Sequence, residues 1–127
     1  MKIQYKDLSP KLGVEINNLD CSKKLSKFNL SIIKKLIQEK HFICFKDQNL
    51  DEKKLSNFAK NFGMLEVYPE KDKTKKFKQI FNVSNVSPDG IKLNPNDQRV
   101  VLQKNNERWH TDSSYRLYHL IYLFCMD

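Results

Sequence analysis

The apolar residues in the first half of the chain change their spacing twice, and this constrains the fold more than any other feature. Between residues 29 and 38 they recur every three or four positions, which predicts an amphipathic helix. Residues 41–46 then form a short β-branched and aromatic run, which predicts a buried strand. Residues 51–62 return to helical spacing. We therefore expect a chain of the mixed α and β class.

Residues at the borders of these segments predict where each element begins and ends. Asn29 or Ser31 can cap the first helix, and Asp51 can cap the second. Gly63 stands where a glycine commonly ends a helix. His41 opens the strand between the helices, and we expect it to be a tolerated strand-end residue rather than a ligand.

Outside this region the sequence predicts short extended segments separated by loops. A lysine-rich stretch at 70–78 and a stretch at 85–97 with two prolines and a glycine both predict loops. Extended segments are expected at residues 13–19, 79–84, 99–102 and 107–115.

The length and net charge of the chain limit the number of domains and the class of partner. The chain has 127 residues, 39% of them hydrophobic, which is enough for one domain over 1–127. The formal charge is +8, but only three of the 23 cationic residues are arginines. Nucleic-acid readers rely on arginine, and an adenine- and thymine-rich coding sequence gives the same lysine excess. We therefore expect no nucleic-acid partner.

The three cysteines indicate neither a disulfide framework nor a zinc site. Cys21, Cys44 and Cys125 are an odd number without close spacing, and Cys44 lies inside the predicted strand as a small core residue. The first residues lack the apolar core of a signal peptide, and no run is long enough to span a membrane. A reduced, cytoplasmic setting without a membrane partner is the expectation.

His110 and Asp112 form the sharpest local feature, an HxD pattern within residues 109–115. In an extended segment, residues two apart point to the same face, so the imidazole and the carboxylate can reach one ion. The pattern alone also fits an ordinary surface histidine and aspartate. A metal site at this pair therefore needs support from the rest of the chain.

Further motifs accompany the HxD pattern in a consistent order. They are Leu8, Pro10, Gly13, Glu15 and Asp20, the segment 41–48 ending in Phe-Lys-Asp-Gln, the segment 55–66 ending in Phe-Gly-Met-Leu-Glu, the segment 82–86, and the segment 109–116. In this order they resemble the TauD/TfdA family of iron(II)/2-oxoglutarate-dependent dioxygenases, particularly its TfdA-like branch. Asp20 lies one place off the commonest spacing of that family.

The resemblance implies an α+β, mainly β fold, the N-terminal part of a double-stranded β-helix (jelly roll) with two flanking helices. It implies iron(II) held by two histidines and one carboxylate, with 2-oxoglutarate as co-substrate. His110 and Asp112 match the first two ligands. The implied activity is the hydroxylation of a small organic acid, in which the metal carries the oxidation and the protein positions the substrate.

Two substrate-contacting positions follow from the same resemblance. Asn106 matches a substrate-contacting amide in some family members, and Tyr68 stands where the taurine-type enzymes often have a substrate-facing histidine. A neutral phenol cannot supply the charge of that histidine, so the substrate need not be a sulfonate. Structural roles explain both residues equally well, with Tyr68 as a half-buried aromatic and Asn106 as a turn residue.

The chain ends before the family pattern does. The family's third ligand is a distal histidine, followed by an arginine that pairs with the far carboxylate of 2-oxoglutarate, and the chain stops at Asp127. His119 is too near His110 to be that histidine. We therefore expect an incomplete domain, inactive alone. Residues 118–127 also depart from the pattern, and a frameshift at or just after Arg116 would explain such an out-of-family tail.

Two hypotheses from different functional classes remain open. The leading one is an N-terminal fragment of a TfdA-like dioxygenase. The alternative is a small basic, non-catalytic domain that binds an acidic partner or nucleic acid, which should bind less tightly as salt rises. A metal site shared between two copies of the chain is the least favoured hypothesis, because each copy lacks the distal histidine and arginine. The sequence leaves the substrate and the oligomeric state open.

Overall fold

The computed structural model describes residues 3–67, 76–81, 83–87, 89–104, 107–110 and 121–126. The chain divides into two compact units. The N-terminal unit comprises Met1–Gln79 together with Phe124–Asp127, and the second unit comprises Ile80–Leu123. The prediction of a single domain with an out-of-family tail stays a prediction.

Three short strands form the sheet of the N-terminal unit. They are β1 (Tyr5–Asp7), β2 (Val14–Ile16) and β3 (Ile43–Phe45), in the order β1-β2-β3. Strand β1 pairs with β2 in antiparallel orientation, whereas β3 pairs with β2 in parallel. The sequence predicted β2 and β3 but not β1, whose three residues are all exposed and so show no apolar alternation. Strand β3 is half-buried rather than buried, and its Cys44 is not the core residue that the sequence predicted.

The core of the N-terminal unit lies between this sheet and two helices. Val14 and Ile16 on β2 are fully buried, because strand residues two apart share one face. Ile33 and Leu36 bury the apolar stripe of helix α1 (Lys27–Lys40). Further members of the core are Ile3, Cys21, Leu25 and Phe58.

Helix α1 begins earlier than the apolar spacing predicted. Its N-cap is Ser26, whose side-chain oxygen accepts a hydrogen bond from the backbone N–H of Asn29 at 3.1 Å. The prediction of Asn29 or Ser31 as the cap is therefore wrong, because the first turn contributes no buried residue and lies outside the apolar stripe. His41 does not open β3. It caps the C-terminus of α1 at a left-handed φ of 64°, with its N–H bonded to the Ile37 carbonyl.

The hairpin between β1 and β2 is tied to the end of α1. The Lys40 ammonium lies 2.9 Å from an Asp7 carboxylate oxygen and donates to the Pro10 carbonyl. Gly13 adopts a φ of +81°, and a Cβ there would lie 3.2 Å from side-chain carbons of Leu8 and Phe42. The glycine of the first motif thus has a structural role, since both its backbone angle and its neighbours disfavour a side chain.

Helix α2 (Glu52–Ala59) begins as the sequence predicts, with Asp51 as its N-cap accepting from the Lys54 N–H at 2.7 Å. It ends at Ala59 rather than near Phe62, and two tighter turns follow, closed by the Asn61 and Phe62 N–H groups. Gly63 therefore lies beyond the last helical turn.

The second unit has little regular structure in its described residues. An isolated bridge pairs Val86 with Lys92 in antiparallel fashion, which fits the predicted 85–97 connection. Helix α3 (Gln98–Lys104) replaces the extended segment expected at 99–102. The expected strand at 79–84 is also absent from the described residues there, of which Phe81 and Val83 are exposed.

The described residues contain three strands and three helices, which confirms the mixed α and β class, whereas a mainly β composition stays a prediction. Each strand has only three residues, and the jelly roll stays a prediction. The described helices include none long and apolar enough to cross a membrane. The predicted loop at 70–78 lies mostly outside the described residues.

Candidate metal site

His110 follows helix α3 in the second unit, at the end of a short turn. Its side chain is exposed, and Trp109 beside it is fully exposed. The ring Nδ1 lies 2.7 Å from the backbone carbonyl oxygen of Arg108. The described residues 107–110 form turns rather than the extended segment that the sequence predicted over 107–115.

The Arg108 contact bears on which ring nitrogen can bind a metal. A carbonyl oxygen only accepts, so the contact requires the proton of a neutral ring on Nδ1 and leaves the lone pair on Nε2. Metal-binding histidines commonly donate their second ring N–H to a backbone carbonyl in this way, which fixes the ring orientation. The local geometry of His110 is therefore compatible with a ligand that binds through Nε2.

The other predicted site residues lie outside the described residues. These are Asp112, Asn106 and Tyr68. Among the residues that the structure does describe, no three His, Cys, Asp or Glu side chains come together as a metal site. The pairing of His110 with Asp112 thus stays a prediction.

A cleft in the second unit is a feature that sequence reasoning missed. Its walls come from the segment before the Val86–Lys92 bridge, from helix α3 and from Glu107. The Gln103 amide donates to the Ser84 carbonyl at 2.9 Å and links the two walls. The lining residues are Val83, Ser84, Asn85, Val100, Gln103, Lys104 and Glu107. Apart from the 82–86 motif, nothing in the sequence pattern marks these positions.

Gln48, the last residue of the 41–48 motif, organises the backbone of the N-terminal unit. Its Oε1 accepts from the Cys21 N–H at 2.8 Å, and its Nε2 donates to the Leu19 and Lys46 carbonyls. One side chain therefore holds the segment before α1 against the end of β3. This polar residue of the motif therefore has a structural role.

The buried cysteine of this region is a core residue with a protonated thiol. Desolvation raises the pKa of the Cys21 thiol to about 12, and the Asp20 carboxylate adds to the rise. Because the thiolate is the form that binds metals, a thiol with so high a pKa stays inert near neutral pH. Cys21 is instead part of the core, at 2% exposure.

Comparison with known proteins identifies the family. A sequence profile described as "Taurine catabolism dioxygenase TauD, TfdA family" matches residues 4–125. The chain belongs to the TauD/TfdA family. The resemblance inferred from the ordered motifs is thereby confirmed.

Two curated TauD/TfdA relatives are alpha-ketoglutarate-dependent 2,4-dichlorophenoxyacetate dioxygenases. One is from Cupriavidus pinatubonensis (strain JMP 134 / LMG 1197) and is 28% identical, and the other is from Burkholderia sp. (strain RASC) and is 29% identical. Each alignment covers 91% of this chain but only 42% and 40% of the respective relative. The chain thus spans about two fifths of their length.

A solved structure supports the fold. The crystal structure of AAD-2 in complex with Mn(II) and N-oxalylglycine matches 90% of this chain with a TM-score of 0.76 and 24% sequence identity. The match covers 39% of that chain, in agreement with the curated relatives. At this identity the likeness shows a shared fold.

Proposed function

We propose that this chain contributes the HxD half of an iron(II) site in a 2-oxoglutarate-dependent dioxygenase. The single observation that carries the proposal is the family match over residues 4–125, which includes the HxD pattern. His110 supports it locally, because its Nδ1 contact with the Arg108 carbonyl suits a ring that binds metal through Nε2. The proposed fold is the N-terminal part of a jelly roll.

The donor chemistry fits the proposed metal. The imidazole of His110 and the carboxylate of Asp112 are two of the three donors in a 2-His-1-carboxylate site, which is typical of non-haem iron(II) oxygenases. A bound iron(II) ion would provide the oxidation chemistry, for which dioxygen and 2-oxoglutarate are the co-substrates. This chain's own residues would hold the ion, and the Arg108 carbonyl would orient the ring of His110. The third donor is assigned to no residue of this chain.

The proposed substrate is a small organic acid. The curated relatives act, by name, on 2,4-dichlorophenoxyacetate, which carries one carboxylate. Asn106 and Tyr68 are the proposed substrate-contacting residues, an amide and a phenol that can hydrogen-bond a carboxylate without adding charge. The family match favours this reading over the alternative of a small basic binding domain.

Metal titration tests the proposal directly. Anaerobic addition of iron(II) should show weak binding to the parent chain, because two donors supply only part of the site. His110→Ala and Asp112→Ala should each weaken binding about tenfold or more. His119→Ala is the matched control and should bind as the parent does. Iron(II) binding that is unchanged in both ligand variants would place the metal elsewhere and overturn the proposal.

A further inference from the structure

Residues 124–126 return to the N-terminal unit after the second unit, and one ring anchors them there. The centroid of the Phe124 ring lies 4.9 Å from that of Phe62 and 5.6 Å from that of Phe58. Its two neighbours in the sequence are exposed. Within the described part of the chain, no backbone hydrogen bond joins residues 124–126 to another segment. Among the described contacts, the Phe124 ring is therefore what holds this returning segment.

The surface under Phe124 is formed by residues much earlier in the chain. Phe58 lies on α2, and Phe62 lies in the turn that follows it. Their ring centroids are 5.4 Å apart, and Phe45 on β3 supports Phe58 from 5.3 Å in an edge-to-face contact. We call these three rings the ring site. Because strand β3, helix α2 and the hydrogen bonds of the turn position its members, the ring site does not depend on Phe124 in order to form.

The ring site cannot distinguish the Phe124 of its own chain from that of a second copy. The second copy offers the same ring with the same neighbours, so docking between copies reproduces the contacts without a new interface. Segment exchange of this kind is a low-cost route to dimers. Docking within one chain has the advantage of a tether, which gives effective concentrations in the millimolar range for short flexible connections. The balance between the two modes therefore depends on the protein concentration.

We propose that Phe124 docks reversibly and that two copies of this chain associate by exchanging residues 124–126 between their ring sites. A segment held by one ring opens more readily than a strand or helix that is bound along its length. The formal charge of +8 on each copy opposes association, and dissolved salt screens this repulsion. Association through the ring sites should therefore strengthen as salt rises, which is the reverse of binding through a basic face.

Two complementary variants test the exchange. Phe124→Ala leaves its ring site vacant, whereas Phe62→Ala keeps the anchor ring but removes the nearest ring of the site. Phe62 is chosen because the more deeply buried Phe58 belongs to the core. In an equimolar mixture, the anchor of one variant can dock on the complete ring site of the other. Sedimentation velocity of the 127-residue chains should show the mixed dimer forming at least about threefold more tightly than either variant pairs with itself.

The parent chain and one matched variant complete the test. The parent should form dimers as its concentration approaches the millimolar range, and more of them at higher salt. Phe124→Ala alone should lose this association while keeping the far-UV circular dichroism spectrum of the parent. Leu123→Ala changes an exposed neighbour and should dimerise as the parent does. A reductant is present throughout, because the exposed Cys125 would otherwise cross-link two copies by oxidation.

Four outcomes would overturn the proposal. They are a mixture that associates no more tightly than the single variants, a Leu123→Ala effect equal to that of Phe124→Ala, dimers that dissociate as salt rises, and loss of the folded spectrum in Phe124→Ala. The last outcome would make Phe124 a fixed part of the core. All measurements are made without iron(II) and 2-oxoglutarate. Failure of this proposal would therefore leave the proposed dioxygenase function untouched.

Discussion

Gln48 shows how one amide side chain can replace several backbone contacts. The segment before α1 is irregular, so its backbone groups have no ladder partner, and a buried unpaired group costs about 1 to 3 kcal/mol. The Gln48 amide accepts from the Cys21 N–H and donates to the Leu19 carbonyl, each at 2.8 Å. Shape and stability of this segment therefore depend on a residue nearly thirty positions away.

Replacing this side chain tests that dependence. Gln48→Leu keeps the bulk but removes both donors and acceptor, and we expect it to lower the free energy of unfolding by about 1 to 3 kcal/mol. Gln48→Glu keeps an acceptor for the Cys21 N–H but places a carboxylate oxygen against the Leu19 and Lys46 carbonyls, so it should also destabilise the unit. Urea unfolding measures both. Gln38→Leu, at an exposed position of α1, is the control, and an equal loss in that variant would contradict the role of Gln48.

Asp20 makes stability sensitive to acid. Hydrogen bonds from the Ser22 side chain, then from Lys23, lower the pKa of its carboxyl from 3.8 to about 2. Because the folded pKa is the lower one, its contribution to stability is present above about pH 4 and is lost as the pH falls towards 2. An NMR titration of the carboxyl should report the low value, and Ser22→Ala should raise it towards 3.8. A Ser22→Ala titration identical to that of the parent would contradict this assignment.

At the scale of elements, helix α2 is held by aromatic contacts. Phe58 is 3% exposed, and its ring centroid lies 5.3 Å from that of Phe45 in an edge-to-face arrangement. The rings of Phe62 and Phe124 lie 5.4 and 5.6 Å away. Edge-to-face pairs add to the stabilisation that burial alone provides.

Truncation of the central ring should unfold the N-terminal unit or nearly so. Phe58→Ala removes a fully packed side chain, for which a loss of about 3 to 5 kcal/mol is typical. Thermal melts followed by circular dichroism would measure it. Phe28→Ala on α1, where the ring is 61% exposed, is the matched control and should melt close to the parent. Equal melting of the two variants would show that the ring cluster is not what holds α2.

The elements that the sequence predicted share a clear apolar spacing, and those it missed do not. Helices α1 and α2 each bury a stripe, so their existence could be read from the sequence. Helix α3 could not, because its Val-Val-Leu run favours a strand and it buries nothing. Its start is set by Asp97 instead, whose side-chain oxygen accepts from the Arg99 N–H and whose carbonyl accepts from the Val101 N–H.

The candidate site follows the same rule. The HxD pair could be proposed from the sequence because the spacing of its two residues is local, and the other motifs of the family support that proposal. The cleft could not be predicted, because it depends on a hydrogen bond between Ser84 and Gln103, which are 19 positions apart in the sequence. Neither residue has a charge or a spacing that marks it in advance. Predicting such a site requires the path of the backbone, which the apolar pattern of the second unit does not determine.

For the whole molecule, the share of the family fold that this chain spans is the basis for a prediction about turnover. It covers about two fifths of the curated relatives, and the proposed third ligand and co-substrate arginine belong to none of its residues. We therefore expect the 127-residue chain alone to form no succinate from 2-oxoglutarate with iron(II) and ascorbate. The Cupriavidus relative with 2,4-dichlorophenoxyacetate, assayed in parallel, shows that the assay works.

Arg116 is the residue that could make the prediction of no succinate formation wrong. It lies four residues after Asp112 and is the one arginine beyond the HxD pattern in the sequence, so it could take the place of the co-substrate arginine. Succinate formation above a no-protein control, abolished by Arg116→Ala, would make this chain a working enzyme.

The contacts of Phe124 bear on the order in which the molecule is completed during synthesis. This residue lies after the whole second unit in the chain, yet its ring packs in the N-terminal unit, 4.9 Å from that of Phe62. On a ribosome the strands and helices of the N-terminal unit emerge first and begin to fold first. Their aromatic cluster nevertheless stays open until residue 124 has been made. The unit that starts first is therefore also the last to close.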